Sequence, residues 1–293
     1  MIFPLSPIQK KHPGIQLPGG VHLYFSRPLV MSVVNCTPDS FFPPSRSVRP
    51  EEAAERALAA ESQGADIIDF GAESSRPGAV FIDEEEEIRR LIPVLKHFRR
   101  QSALPVSADT RKAAVASMAL DEGADIINDI TALADPAMLC LCAERRAAVV
   151  LMHAPPGDMH TMGVSSPEEV RRFFMEAAEK AEAGGICRDR IILDPGFGFG
   201  KSTTDNLVLL NQLARIRLDD YPVLVGLSRK RFIGEITGRE PEGRLSGTIA
   251  AQTMALLGGA DIIRVHDTSE ALDMVKVIAA FSETFINFDG AGE

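Results

Sequence analysis

Carboxylates, amides and cations stand at the ends of a series of short apolar runs, and their types point to one kind of ligand. "LVMSVVN" closes on Asn35, "ADIIDFG" carries Asp69, "LPVSADT" carries Asp109 and "ADIINDI" carries Asn128. Further on, "AAVVLMH" closes on His153 and "RIILDPG" carries Asp194. "PVLVGLS" runs into Ser228, Arg229 and Lys230, and "ADIIRVH" carries Arg264 and His266. Buried carboxylates and amides suit a flat heterocycle with several N–H donors and acceptors, because every buried polar edge needs a partner. Lysine, arginine and histidine suit phosphate or diphosphate oxygens. Asn35 offers the neutral oxygen that a hard cation such as Mg2+ accepts. A heterocycle carrying a diphosphate would use the whole set.

Such residues act together only if the elements beneath them converge. The runs span 29–35, 65–71, 104–110, 124–130, 147–153, 190–196, 222–228 and 260–266. They are rich in β-branched residues and nearly continuous rather than alternating, as strands of a parallel sheet buried on both faces should be. Helix signals lie between them. Pro50 and two glutamates open a segment that Gly64 ends, and "DEEEEIRRLIPVLKHFRR" (83–100) runs from acid to base along a helix dipole. Ser166 is an N-cap candidate before Pro167. Further helices are expected near 111–121, 135–146, 204–216, 246–257 and 269–285.

Strands each followed by a helix predict an α/β fold, a (β/α)8 barrel over 29–293, whose active site lies where the strands end. The alternative is an open, doubly wound sheet. Residues 1–28 form a separate extension, with "GIQLPGGVHLYF" expected to make a hairpin or cap turning at Gly19-Gly20. "GADII" recurs at 64–68, 123–127 and 259–263, followed by Asp69, Asn128 and Arg264. The repeat reads as a glycine helix stop leading into a buried strand, while the residue after it supplies the chemistry.

Composition removes several functions. A net charge of −10 argues against general nucleic-acid binding, so an anionic ligand needs a local basic site. No apolar run approaches the ~20 residues of a membrane span, and the opening "MIFPLSPIQKKHPG" lacks a signal peptide's apolar stretch. The four cysteines show no metal-binding spacing, which fits a reduced, cytoplasmic protein. "DPGFGFGKS" looks like a phosphate loop, but only three residues separate Gly196 from Gly200-Lys201, where a nucleotide loop needs four. His97 reads as a surface residue, and His153 and His160 as core or loop residues as readily as ligands. No Ser/His/Asp signature or zincin motif is found.

In their order and spacing, the motifs closely resemble those of the dihydropteroate synthase family of pterin-binding barrels, over about residues 29–285. They are "NCTPDSF" (35–41), "GAESSRPGA" (71–79), "ADT" (108–110), "IINDI" (126–130), "LMH" (151–153), "LDPGFGFGK" (193–201), "GLSRK" (226–230), "RLSG" (244–247) and "IIRVHD" (262–267). The resemblance implies condensation of 6-hydroxymethyl-7,8-dihydropterin diphosphate with 4-aminobenzoate by an SN1-like route. It places Asp109, Asn128, Met152, Asp194, Phe199, Gly226, Lys230 and Arg264 around the pterin. Asn35, Arg76, Arg264 and His266 fall to the diphosphate, with Asn35 also the magnesium ligand. Phe41, Ser75, Arg76, Pro77, Lys230 and Arg231 fall to the aminobenzoate. Asp109, Lys230 and Arg264 would carry the catalysis. The resemblance also implies a homodimer and sensitivity to sulfonamides, which mimic 4-aminobenzoate.

The sequence departs from the family pattern at the first loop, where "DSFFPPSRS" replaces "DSFSDGG" and Pro43-Pro44 should stiffen or redirect it. Arg111 adds charge near Asp109, and Arg231 stands where many members have serine. A pterin-dependent methyltransferase with a corrinoid partner and a non-catalytic pterin binder stay open as alternatives.

Overall fold

The computed structural model describes residues 12, 14–37, 49–73, 81–154 and 166–289. An antiparallel hairpin of β1 (Gly14–Gln16) and β2 (His22–Tyr24) comes first. Eight parallel strands follow: β3 (Leu29–Asn35), β4 (Ile67–Gly71), β5 (Val106–Asp109), β6 (Ile126–Asp129), β7 (Ala148–Met152), β8 (Ile191–Asp194), β9 (Leu224–Val225) and β10 (Ile262–Val265). Their spatial order is β8-β7-β6-β5-β4-β3-β10-β9. Leu193 bridges Val223 in parallel, and its N–H donates to Pro222 O at 2.9 Å, so the two outer strands meet. That contact closes the sheet into the expected (β/α)8 barrel and removes the open-sheet alternative.

The surrounding helices are α1 (Pro50–Gln63), α2 (Glu84–Arg99), α3 (Ala113–Asp121), α4 (Pro136–Arg145), α5 (Pro167–Ala183), α6 (Thr203–Asn211), α7 (Leu213–Ile216), α8 (Arg231–Thr237), α9 (Leu245–Leu257) and α10 (Thr268–Asp289). Ser166 caps α5 in a reciprocal capping box with Glu169, and Asp83 caps α2 through Glu86 N. The segment expected as one helix over 204–216 divides at Gln212. Helix α8 was not anticipated, because seven residues with Gly234 in their middle give too short a periodic pattern.

All three GADII copies share one arrangement. Gly64, Gly123 and Gly259 have positive φ, and the next residue's N–H returns to the helix, from Ala65 to Ala60 O, Ala124 to Ala119 O and Ala260 to Ala255 O. These are Schellman endings, which need a left-handed residue. The aspartate then accepts an N–H at the start of a neighbouring strand: Asp66 from Val30 at 2.8 Å, Asp125 from Val106 at 2.9 Å and Asp261 from Val223, just before β9, at 2.8 Å. The aspartate of the repeat therefore serves the barrel's lower rim, while the residue after it faces the chemistry at the other end.

Inside the barrel, the lower layers are apolar. Met31, Ile67, Ile126, Val150, Ile192, Leu224 and Ile262 pack there with Ile15 and Leu17 of the hairpin, which are 0% and 1% exposed. The hairpin is thus a plug for the barrel floor, tied further by Arg190 to Gln16 at 3.5 Å. Ile15→Ala should lower unfolding stability by about 2–5 kcal/mol, the usual cost of such a cavity, while leaving any activity at the strand ends of the folded protein unchanged. Denaturant unfolding with parallel rate measurements checks this; an unaltered midpoint would mean that the hairpin does not seal the core.

Candidate active site

At the upper end of the barrel, a guanidinium from β10 reaches carboxylates on two other strands. Arg264 Nε donates to Asp69 Oδ2 at 2.6 Å, and its Nη2 donates to Asp109 Oδ2 at 2.6 Å. Asp69 was noted in the sequence only as a strand-end carboxylate; its partner comes from a strand nearly 200 residues away in the chain. Burial opposes the charge on Arg264, yet the two carboxylates hold its pKa above the ordinary arginine value. Burial pushes Asp109 up to about 7, against the pull of Arg264 and with Asp69 adding repulsion. One cation is thus shared by a buried acid and a partly buried one.

The neighbouring rungs bring the rest of the proposed heterocycle pocket together. Asn128 is buried and lies in register with Asp109 across β5 and β6, and Asp194 lies in register with Met152 across β7 and β8. Burial raises the pKa of Asp194; the Gly196 N–H, Lys230, Lys201 and Arg264 oppose that rise. Its Oδ1 accepts Gly196 N at 2.8 Å, and a carboxylate offers further lone pairs for a ligand. Lys230, the residue before α8, holds its Nζ 4.3 Å from the centroid of the Phe199 ring. A Cβ placed on Gly226 would meet nothing within 4 Å, so that wall is open.

The glycine loop after β8 is not a phosphate cradle. Lys201 is buried and donates to His153 O at 3.1 Å, Gly196 O at 2.9 Å and Phe199 O at 3.2 Å. Burial, partly offset by Asp194, lowers its pKa to about 7. Gly196 has φ +66°, and a Cβ there would stand 2.0 Å from His153 O, so only glycine permits this approach. His153 itself is buried edge-on to Phe173, and burial lowers its pKa to about 3, so it is a neutral core histidine.

The rim holds the remaining described candidates. Asn35 ends β3, His266 follows the neighbouring β10, and both are exposed; His266 Nδ1 lies 3.0 Å from Ser228 Oγ. Arg231 is exposed and pairs with Glu235 at 2.7 Å on α8. Arg111 pairs with Glu73 at 3.1 Å and lies over the Phe81 ring, so its charge is tied to the exit of β4. Glu73 also accepts from Lys112 Nζ at 2.8 Å and Ile82 N at 3.0 Å, and Lys112 reaches buried Glu87 at 2.5 Å. Sequence reasoning missed Glu73, Lys112 and Lys201, whose partners are backbone or distant side chains. Phe41, Ser75, Arg76, Pro77, His160 and the first-loop residues 42–44 lie outside the described residues.

The profile of the family described as "Pterin binding enzyme" matches residues 31–266. The dihydropteroate synthase of Escherichia coli (strain K12) is 40% identical over 267 residues, covering 89% of this chain and 94% of that protein. Dihydropteroate synthase of Xanthomonas albilineans, solved with 4-aminobenzoic acid, superposes with a TM-score of 0.85 at 45% identity, covering 92% of this chain and 98% of that one. The same enzyme with 7,8-dihydropteroate gives 0.80 at 43%, covering 90% and 98%.

The raised pKa of Asp109 has a signed consequence for stability. Its unfolded value is about 3.9, so the native state binds this proton more tightly. The stabilisation is complete below about pH 4 and is lost as pH rises through about 7. The melting temperature of Asp109→Asn, minus that of the parent, should therefore become more positive between about pH 5 and 8. A difference that stays flat or falls over that range would show that Asp109 is ionised throughout.

Proposed function

The chain belongs to the pterin-binding enzyme family and, within it, to the dihydropteroate synthases, and from that premise we propose how its barrel mouth divides the reaction. The enzyme joins 6-hydroxymethyl-7,8-dihydropterin diphosphate to 4-aminobenzoate, releasing 7,8-dihydropteroate and pyrophosphate. A C–O bond to the diphosphate breaks, and a C–N bond forms to the arylamine, which loses one proton. The observation that carries the assignment of roles is the guanidinium of Arg264 held between Asp69 and Asp109 at the barrel mouth.

Asp194 accepts N–H bonds from the aminopyrimidine edge, as a carboxylate does from a guanidinium. Asn128 pairs with a further ring edge, and Lys230 donates to the ring carbonyl and a ring nitrogen. Met152, Phe199 and Gly226 line the faces. In the SN1-like route, the C–O bond breaks first and positive charge spreads over the pterin. Asp109 in its ionised form stabilises that charge, and Arg264 stabilises the charge growing on the leaving oxygen. Arg76, Asn35 and His266 hold the diphosphate.

Among the described residues, no group of three His, Cys, Asp or Glu side chains could hold a metal ion. The exposed amide of Asn35 instead fits Mg2+ carried in on phosphate oxygens, since that ion keeps waters and takes few protein ligands. When bound, it would neutralise leaving-group charge. Phe41, Ser75, Arg76 and Pro77 are assigned to 4-aminobenzoate from their motifs alone, with Lys230 and Arg231 on the same ligand. The exposed apolar side chains Met254, Val277 and Phe281 on α9 and α10 support pairing with a second copy through the outer helices. The four free cysteines agree with a reducing, cytoplasmic setting, and no helix among the described residues is long and apolar enough to cross a membrane.

Formation of 7,8-dihydropteroate together with pyrophosphate when both substrates are supplied tests this function directly; a folded enzyme that forms no 7,8-dihydropteroate from the two would refute it. Arg264→Ala should lower turnover by about 100-fold or more, the usual cost of losing a donor to developing charge. Affinity for a pterin lacking the diphosphate should fall much less. Equal losses in the two measurements would make Arg264 a pterin-stacking residue instead.

If the diphosphate organises the aminobenzoate site, 4-aminobenzoate should bind weakly to the free enzyme and tightly once a pterin, pyrophosphate and Mg2+ are present. Sulfonamides should share that requirement. Titration calorimetry under both conditions decides it, and equal affinities would exclude ordered assembly.

A further inference from the structure

We propose that Lys201 is a positioning residue for pterin recognition, acting through Phe199 and Asp194 by fixing the glycine loop between them. The inference rests on the reading of Asp194, Phe199 and Lys230 as pterin contacts. An ammonium has three N–H donors, and three backbone carbonyls stand within hydrogen-bond distance of Lys201 Nζ: His153 O at 3.1 Å, Gly196 O at 2.9 Å and Phe199 O at 3.2 Å. With its donors occupied and its side chain buried, this lysine is not presented to phosphate. Its charge is spent on backbone.

The segment it fixes needs fixing. Gly196, Gly198 and Gly200 all have positive φ, and glycine loses the most conformational freedom on folding. Lys201 joins two carbonyls of that loop to the exit of β7. Asn206, also buried, holds the opposite side: its Oδ1 accepts Gly198 N at 2.8 Å, and its Nδ2 donates to Ser202 O at 2.7 Å.

Each carbonyl held by Lys201 sits beside a proposed pterin contact. Fixing Gly196 keeps its N–H on Asp194 Oδ1 at 2.8 Å, which orients the carboxylate. Fixing Phe199 O keeps its ring 4.3 Å from Lys230 Nζ, which aims both groups. The positive charge of Lys201 also favours the ionised form of Asp194. One buried cation thus couples the recognition carboxylate to the pocket wall.

The test compares Lys201→Met, which keeps the apolar stem, with Lys201→Gln, which restores an uncharged donor; circular dichroism and melting establish that each is folded. In Lys201→Met, KM for 6-hydroxymethyl-7,8-dihydropterin diphosphate should rise about tenfold or more, with KM for 4-aminobenzoate shifting by less than about twofold. Lys201→Gln should recover part of the loss. A lysine of merely structural importance would lower the melting temperature and leave the pterin KM of the folded enzyme alone. Asp194→Asn, run alongside, separates the two readings. If it raises the pterin KM while both Lys201 variants stay within about twofold of the parent, the positioning role is overturned and the pocket stands. If Asp194→Asn also leaves the pterin KM unchanged, the pocket reading fails and this inference falls with it.

Discussion

A cation drawn into the mouth of a barrel must be balanced there, and Arg264 is balanced at 2.6 Å by Asp69 and Asp109, from strands two and three places along the ladder that the curvature of the barrel turns towards it. Much of the site follows from that constraint. Asp69 is fully buried, so losing the guanidinium would leave its charge without a counter-ion. Such a trio is weak evidence for stability, because desolvating the charges offsets their attraction. It does create a preorganised field before any substrate arrives, with one cationic and two acidic groups fixed in direction. The proposed step, which separates a pterin cation from a diphosphate anion, would draw on a field of that kind.

The barrel divides along its axis into a sealed half and a reactive half. Below, apolar side chains fill the lumen, and Ile15 and Leu17 close the floor. The GADII aspartates secure this lower rim by accepting strand-start N–H groups. Above, each strand changes to a polar residue within a few positions. A rigid floor lets the strand ends diverge in chemistry without loss of register, since their positions are set by the ladder rather than by the residues themselves.

Backbone-directed cations form a second theme. Arg99 binds Gly123 O, Leu104 O and Asp125; Arg229 binds Pro241 O, Glu242 O and Asp267; Lys201 binds three carbonyls of the glycine loop and the β7 exit. In each case a long side chain adds hydrogen bonds to carbonyls of the connecting segments, which fixes irregular chain near the barrel ends. The acidic counterparts do similar work: Glu73 gathers Ile82 N, Arg111 and Lys112 at the exit of β4.

The eight runs and the helices between them were legible from the sequence because apolar continuity, caps and glycine stops are local signals. β3 covers the whole of its expected run, and Ser166, Pro50 and Gly64 mark helix ends where their chemistry predicts. The strand-end residues Asp109, Asn128, Asp194 and Arg264 were legible for the same reason, and the order of the motifs identified the family. Other features were not. Helix α8 is too short to show a period, and β9 shrinks to two residues where Pro222 cannot donate. The partners of Asp69 and Lys201, and the pairing of Arg111 with Glu73, depend on strands and loops far apart in the chain. By itself, the sequence determined the alternation of strand and helix and which polar residues sit at strand ends, since these are properties of short segments in water. Tertiary structure alone decided which charges meet and which lysine serves backbone instead of ligand, because those outcomes depend on distances set only when the barrel closes.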